Sequence, residues 1–248
     1  MSVNAKPLDF IICEGPSDAE FVCLYIERKC GYFENRTEAN RYSSTINNAK
    51  FFYECGQNRD ALIIAAGGCH NINRLYNEIV FINVKGNNVG SRVIVIIDRD
   101  NKTDQECYNL VPFVNISMTI NTWNDGTLLG DFIYPDGSNN VINWRSYFSV
   151  IPSSSMGAFE NVLIGSLFNS EPDIANEVTN FFNSLSSQAK AHISTNRKEI
   201  KSRLDTMLVL IDPEKIFITL RNLFSVVDLN DTNIVQNFSF LSDINNPV

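Results

Sequence analysis

A run of five β-branched residues, VIVII at positions 93–97, constrains the fold of this 248-residue chain more than any other feature. A strand with apolar side chains on both faces is typical of the interior of a parallel sheet covered by helices. The run stops at Asp98, and a second acid, Asp100, follows two residues later. A shorter apolar run at positions 10–13 stops at Glu14. The sequence therefore predicts buried strands whose ends carry carboxylates.

Strand-like and helix-like segments alternate through the first part of the chain. The predicted elements are helices that begin near Ser17 (as N-cap), Asn71 and Asp104, and strands at residues 9–13, 51–55, 62–66, 93–97, 117–123 and 128–134. This alternation predicts an α/β domain over residues 1–150, with a mostly parallel sheet flanked by helices. Helical spacing dominates residues 151–248, which predicts a helical C-terminal region packed on that domain.

Cysteine and histidine offer few candidates for chemistry. The six cysteines include no CxxC pair, and His70 and His192 lie far apart, which disfavours zinc sites, disulfide frameworks and histidine-based triads. Any hydrolytic chemistry is therefore expected to use carboxylates. No apolar run approaches the roughly 20 residues of a membrane span, and the N-terminus lacks the features of a secretory signal. We expect a cytoplasmic protein with no membrane partner.

The charge of the chain argues against a protein that coats nucleic acid. Twenty basic and 28 acidic residues give a net charge of −8. The basic residues nevertheless cluster once, within fourteen positions, at Lys190, Arg197, Lys198, Lys201 and Arg203. Two interpretations stay open for this cluster: a solvated helix face, or a face that contacts phosphates of a nucleic acid.

The acids at the strand ends suggest a metal site. Asp98 and Asp100 lie two apart on an extended segment and are expected to point to the same side, while Asp18 follows Glu14 within one helical turn. Neighbouring carboxylates repel one another unless a cation lies between them. Oxygen ligands without histidine or cysteine favour Mg²⁺ or Mn²⁺, which completes its shell with phosphate oxygens. The alternative makes Glu14 a helix-dipole partner and DRD a turn in which Arg99 pairs with an acid.

The order of the motifs resembles the Toprim domain, which topoisomerases, bacterial primases and OLD nucleases share. The resemblance covers roughly residues 8–135 and rests on a strand ending in EG, an acid at Asp18, the turn AAGGCHNI, and a strand ending in DRD. It implies a central four-stranded parallel sheet, Glu14 as acid–base group or metal ligand, and Asp98 and Asp100 as Mg²⁺ ligands. The acid at Asp18 is similar to the OLD-type pattern, in which further carboxylates create a second metal site.

Glu160 is the candidate for an additional carboxylate ligand. It lies alone near the start of an apolar helix in SSSMGAFENVLIGSL, similar to the region that follows Toprim in small phage-defence proteins. The alternative is a capping glutamate that bonds back to an N-terminal amide of the helix. Both interpretations stay open.

The resemblance implies a metal-dependent Toprim nuclease that cleaves DNA or RNA. It further suggests an anti-phage defence effector. Because the chain carries no ATPase segment, any ATPase that controls it is expected to be a separate partner protein; the alternative partner is a second copy of the chain in a homo-oligomer. Two alternatives remain: a non-catalytic Toprim module with a regulatory or scaffold role, and a phosphotransferase or phosphoester hydrolase that uses the same acids.

Overall fold

The strands predicted from the apolar runs lie at the centre of one β-sheet. The computed structural model describes residues 6–43, 50–85, 92–110, 120–128, 142–214 and 219–245. Its strands are β1 (Leu8–Cys13), β2 (Phe33–Glu34), β3 (Lys50–Cys55), β4 (Asp60–Ala65), β5 (Arg92–Asp98), β6 (Trp123–Leu128) and β7 (Ile142–Ile151). Within the described ranges these seven strands form a single sheet in the order β2, β3, β4, β1, β5, β7, β6.

The middle of the sheet is parallel and its described flanks are antiparallel. Strand β1 pairs in parallel with both β4 and β5, and Cys13 is in register with Ala65 and Ile96. The pairs β2–β3, β3–β4 and β6–β7 are antiparallel. Parallel neighbours end at the same edge of a sheet, so the carboxyl ends of β1 and β5 lie side by side.

Helices cover both faces of the parallel strands. The helices of this part are α1 (Pro16–Cys30), α2 (Arg36–Ser43), α3 (Cys69–Lys85) and α4 (Asp104–Asn109). Alternate strand residues such as Phe10, Ile12 and Val95 form one buried cluster with Ile72 and Leu75 of α3. The intervening strand residues are buried as well, and α1 packs on β1 and β4. Each such side chain contributes roughly 1.5–3 kcal/mol through burial.

The C-terminal part of the chain is helical. Its elements are α5 (Phe159–Ser170), α6 (Pro172–Ser184), α7 (Ser187–His192), α8 (Asn196–Ile211), α9 (Leu220–Phe224), α10 (Thr232–Phe238) and a 3₁₀-helix (Ser239–Asn245). Helix α5 contacts α6, α8 and α10. Its first residue, Phe159, packs edge to face on Phe224 and Phe238, with ring centroids 5.9 and 6.0 Å away. The predicted α/β class with a helical C-terminal region is confirmed.

The chain divides into two compact units. The first comprises Met1–Ile97, Lys102–Val150 and Ser242–Val248, and the second comprises Asp98–Asn101 and Ile151–Leu241. The DRD motif therefore groups with the helical unit, and the last residues group with the α/β unit, which a division at residue 150 does not capture. None of the helices that the structure describes combines the length and apolar content needed to cross a bilayer.

Two local predictions differ from the structure. Helix α1 begins at Pro16 with Gly15 as N-cap, not with Ser17, because proline suits the first helical position and Asp18 accepts the Gly15 N–H at 2.8 Å. The predicted hairpin of residues 117–123 and 128–134 is also wrong in its bounds. Strand β6 begins where the first of those segments was predicted to end, and its partner is β7; residues 111–119 and 129–141 lie outside the described ranges.

Candidate functional site

Asp98 and Asp100 converge on one guanidinium group. Arg197 of α8 donates from Nη2 to Asp98 Oδ2 at 2.5 Å and from Nη1 to Asp100 Oδ1 at 3.2 Å. Asp98 is 2% exposed, whereas the Arg197 side chain is 39% exposed. The two carboxylates of the DRD motif are therefore close enough to share a single cation.

Backbone geometry holds these two acids in place. Asp98 is the last residue of β5, and its Oδ1 accepts the Phe159 N–H at the start of α5 at 2.8 Å. Asp100 has a φ of 50°, a left-handed conformation that aspartate tolerates better than most residues, and its carbonyl accepts the Gly157 N–H at 2.7 Å. The chain thus turns at Asp100, where an extended segment was predicted, and the two side chains still converge.

Gly157 requires the absence of a side chain. Its φ is 134°, and a Cβ atom there would lie 2.7 Å from Asn161 Oδ1. That same oxygen accepts the Ala158 N–H at 2.8 Å and so caps α5. The glycine allows the segment before α5 to approach Asp100, and the asparagine takes the capping role that the alternative interpretation gave to Glu160.

Glu160 is buried, and one of its oxygens has no hydrogen-bond partner. The residue is 3% exposed. Its Oε1 lies 3.2 Å from Lys201 Nζ, while Oε2 is buried without a hydrogen bond. A buried carboxylate oxygen that accepts nothing is costly, because it has lost water without gaining a donor or cation in return. Glu160 therefore has the capacity to bind a further cation.

A fourth acid, Asp205, interacts electrostatically with Glu160. The residue as a whole is exposed, but its carboxyl group is partly desolvated, and this desolvation raises the pKa of Asp205. The negative charge of Glu160 adds to this rise, and the Lys201 ammonium opposes it. Glu160 and Asp205 thus share the nearby ammonium group of Lys201. Asp205 was not among the predicted site residues.

In the α/β unit, Glu14 is fixed through its backbone. Its N–H donates to the Ile96 carbonyl of β5 at 3.1 Å, and its own carbonyl accepts the Gly68 N–H at 2.9 Å. The residue is 8% exposed. Gly68 has a φ of 126°, which favours glycine, so the GG turn serves to bring a donor to Glu14. The predicted meeting of the Glu14 side chain with Asp98 and Asp100 stays a prediction.

Asp18 has a structural role in α1. Its Oδ2 accepts the Gly15 N–H, so the side chain caps the helix that follows the EG motif. A capping carboxylate at this position also interacts favourably with the helix dipole. Its predicted role as a metal ligand stays a prediction.

Three residues of the basic cluster pair with acids. Arg197 binds Asp98 and Asp100, Lys201 binds Glu160, and Arg203 binds Glu199 one turn earlier at 2.6 Å. Lys190 donates to the Asn183 carbonyl, and Lys198 is exposed. Neither predicted interpretation therefore describes the whole cluster, because three of its five basic side chains form ion pairs within the protein.

The spacing of α8 contains a signal for the position of Arg197. Leu204 and Leu208 of α8 are buried. Positions 197 and 201 continue the same stripe by one helical turn each, so Arg197 and Lys201 lie on the face that packs inward. Lys198 lies off this stripe. The two predicted interpretations of the basic cluster did not distinguish Arg197 and Lys201 from Lys198.

The carboxylate oxygens of this site are suitable ligands for a hard divalent cation, although they contact the side-chain cations Arg197 and Lys201. Among the described residues, no group of three or more histidine, cysteine, aspartate or glutamate side chains has an arrangement that could hold a metal ion. Arg197 and Lys201 lie on the carboxylates instead. Carboxylate oxygens alone, one of them unpartnered, are nevertheless the ligand chemistry that Mg²⁺ and Mn²⁺ prefer.

Comparison with known proteins gives one structural likeness. No family model matches the chain, and no curated protein matches it. The structure is similar to the crystal structure of a hypothetical protein from Pyrococcus horikoshii OT3, with a TM-score of 0.48 and 14% sequence identity. The alignment covers 94% of this chain and 98% of that one. At these values the likeness carries no information on function.

Proposed function

We propose that the chain is a metal-dependent nuclease that hydrolyses phosphodiester bonds of DNA or RNA. The observation that carries this proposal is the pair of bonds from Arg197 to Asp98 and Asp100. Two carboxylates that share one guanidinium are also placed to share one divalent cation. Asp98 is almost fully buried, so its charge requires a close cation.

In the proposed mechanism, Asp98 and Asp100 would hold Mg²⁺ or Mn²⁺, and Glu160 would offer its unpartnered Oε2 to a further ion. When bound, the ion supplies Lewis-acid stabilisation of charge on the phosphoryl oxygens and lowers the pKa of water. The buried position of Asp98 and its bond from the Phe159 N–H keep this ligand fixed. Burial of Glu160 excludes bulk water from its unpartnered oxygen.

Glu14 is proposed as the acid–base group or a further ligand. Two backbone hydrogen bonds fix its position directly after β1, and Cys13 before it is in register with Ile96 of β5. In the acid–base role, a Glu14 carboxylate oxygen accepts a proton from the attacking water while the bond from phosphorus to the leaving oxygen breaks. The leaving oxygen then takes a proton from solvent.

The broader biological roles belong to the same proposal. The resemblance to Toprim suggests an anti-phage effector that a partner ATPase controls, with homo-oligomerisation as the other possibility for assembly. One observation favours the rival function, a non-catalytic Toprim module: Arg197 and Lys201 already form ion pairs with the carboxylates. Acids that serve only in ion pairs would need no metal.

The nuclease proposal predicts that Glu14→Gln strongly lowers the rate of cleavage without unfolding the protein. Glutamine preserves the size of the side chain but neither accepts a proton at neutral pH nor binds a divalent ion strongly, so we expect a loss of about a hundredfold or more. The measurement is cleavage of plasmid DNA, single-stranded DNA and tRNA in Mg²⁺ or Mn²⁺. Circular dichroism checks that the variant is folded.

The rivals predict different results in the same experiment. Absence of cleavage by the wild type under every condition supports the non-catalytic module. Turnover of a chromogenic phosphomonoester, with all nucleic acids left intact, supports the phosphotransferase or phosphoester hydrolase. Cleavage that Glu14→Gln leaves unchanged would remove Glu14 from the site.

Lys190 and Lys198 remain the proposed contacts to nucleic acid outside the acid cluster. Both are exposed, and Lys198 lies off the buried stripe of α8. We expect Lys190→Ala with Lys198→Ala to weaken binding and to reduce the salt slope by about one for each phosphate that the protein no longer neutralises. Titration of a labelled oligonucleotide at several salt concentrations measures both quantities. An unchanged slope would assign these lysines to the solvated surface.

A further inference from the structure

Arg197 occupies the oxygens that a shared metal ion would need. Its guanidinium bonds Asp98 Oδ2 and Asp100 Oδ1, the two oxygens of the pair that point toward a common cation. The other Asp98 oxygen already accepts the Phe159 N–H. A divalent ion that binds these two oxygens therefore displaces the guanidinium.

Arg197 has room to move. A cavity of about 340 Å³ lies in the helical unit beside it, lined by Asp100, Gly157, Glu160, Thr195, Arg197 and Ile200, among others. This volume is within the range of small-ligand sites. The Arg197 side chain is already 39% exposed, so water can solvate its guanidinium group when that group leaves the carboxylates.

Charge decides what this cavity can bind. Two cations, Arg197 and Lys201, pair with three carboxylates, Asp98, Asp100 and Glu160, and these five side chains have a net charge of −1 when ionised. An ionised Asp205 beside Glu160 makes this charge more negative. An anion is repelled by this cluster. One divalent cation makes the charge of the cluster more positive by two, which removes the repulsion and lets the Arg197 guanidinium attract an anion.

Helix α8 adds donors for an anion at the same place. Its first residues, Asn196 and Arg197, line the cavity, and their N–H groups precede the first intrahelical hydrogen bond. Thr195 caps the helix by accepting the Lys198 N–H. The independent sign that the cavity takes a ligand is Glu160, which lines it, is 3% exposed and leaves Oε2 without a partner, so that a cation can bind there beside the anion.

We propose that Arg197 is an exchangeable counter-ion: Asp98 and Asp100 release its guanidinium when they bind a divalent cation, and the released guanidinium then binds a phosphate group in the adjoining cavity. The first half concerns metal binding alone. The second half rests on the proposed function, since it takes the phosphate from the nucleic-acid substrate. Metal and substrate binding are thereby coupled through one side chain.

The exchange predicts that removal of Arg197 strengthens metal binding. Arg197→Gln lacks the competing charge but keeps a similar length, and we expect its Kd for Mn²⁺ to fall about tenfold or more relative to the wild type. Free Mn²⁺ is measured by electron paramagnetic resonance during titration of the protein. Arg197→Ala, measured in parallel, is expected to change the Kd in the same direction.

Thermal unfolding gives a second readout of the same exchange. Without divalent ions, Arg197→Gln leaves the buried Asp98 carboxylate without its guanidinium, so we expect a lower Tm than that of the wild type. Mn²⁺ is expected to raise the Tm of the variant more than that of the wild type, because ligand that binds only the folded state stabilises it. Arg203→Gln is the matched control, since Arg203 lies on the same helix but pairs with Glu199.

The phosphate half has its own test. A fluorescent phosphorothioate oligonucleotide, which resists cleavage, is expected to bind the wild type more tightly in Mn²⁺ than without it. We expect Arg197→Gln to lose most of this Mn²⁺-dependent gain although it binds Mn²⁺ better. A gain of equal size in wild type and variant would overturn this half.

Failure of the exchange and failure of the proposed function are distinguishable. An Mn²⁺ affinity of Arg197→Gln that is equal to or weaker than that of the wild type overturns the exchange, even if the wild type cleaves nucleic acid. Absence of Mn²⁺ binding at millimolar concentration in both proteins also overturns it. Stronger Mn²⁺ binding by the variant supports the exchange, even if no nucleic acid is cleaved.

Discussion

Asp98→Asn is expected to lower nucleic-acid cleavage on the order of a thousandfold and to weaken Mn²⁺ binding in parallel. Asparagine keeps an oxygen that can accept the Phe159 N–H, so the start of α5 is expected to stay in place. It removes the negative charge that the proposed metal ion requires. Cleavage rates and Mn²⁺ titration measure the two effects separately, and the second does not depend on activity.

The matched control for this variant is Asp173→Asn. Asp173 is exposed in the first turn of α6, so the same chemical change there is expected to affect neither cleavage nor Mn²⁺ binding. Asp98→Glu adds a test of position, because it keeps the charge but displaces the carboxylate by one methylene group. Mn²⁺ binding by Asp98→Asn that equals the wild type would exclude Asp98 as a ligand.

Asp9→Asn is expected to reduce the free energy of unfolding by about 3–5 kcal/mol. Asp9 of β1 is fully buried and accepts hydrogen bonds from two guanidiniums, those of Arg59 and Arg92. Arg92 also donates to the carbonyls of Asp243 and Ile244 in the 3₁₀-helix. A neutral amide leaves these buried positive charges without their shared carboxylate, and total stabilities of domains are only about 5–15 kcal/mol.

Urea denaturation, monitored by circular dichroism, measures this loss of stability as a lower midpoint concentration of urea, with an m-value equal to that of the wild type. Asp104→Asn is the control in the same unit, because Asp104 is exposed in the first turn of α4, where a carboxylate contributes roughly 0.3–1 kcal/mol through the helix dipole. Equal stabilities of the two variants would mean that other groups neutralise Arg59 and Arg92. Replacement of Asp9 and both arginines by apolar residues of similar volume is expected to cost much less than Asp9→Asn alone.

The sequence was sufficient to predict the strands of the parallel core. Strands β1 and β5 contain the apolar runs of residues 10–13 and 93–97 because helices cover both of their faces, and that burial is visible in the sequence. Strand β7 was not predicted. Its residues Ser146 and Ser149 interrupt the apolar pattern, although both are buried, so burial of polar side chains concealed the strand.

The acidic residues of the candidate site could be predicted from the sequence, but their basic partners, Arg197 and Lys201, could not. Asp98 and Asp100 were identifiable because each ends or follows a strand of hydrophobic residues. Their partner Arg197 comes from a helix about a hundred residues later, and nothing local to the DRD motif specifies it. Only the stripe that runs from Arg197 through Lys201 to Leu204 indicated an inward position, and its meaning depends on knowing what α8 packs against.

The division of the chain into units has a consequence for work with fragments. The backbone passes between the units four times, after Ile97, Asn101, Val150 and Leu241. A gene fragment that stops at codon 150 therefore encodes neither unit whole: it carries the DRD segment without its helices, and it lacks the carbonyls that Arg92 binds. Genetic dissection of this protein calls for point substitutions in the full-length chain.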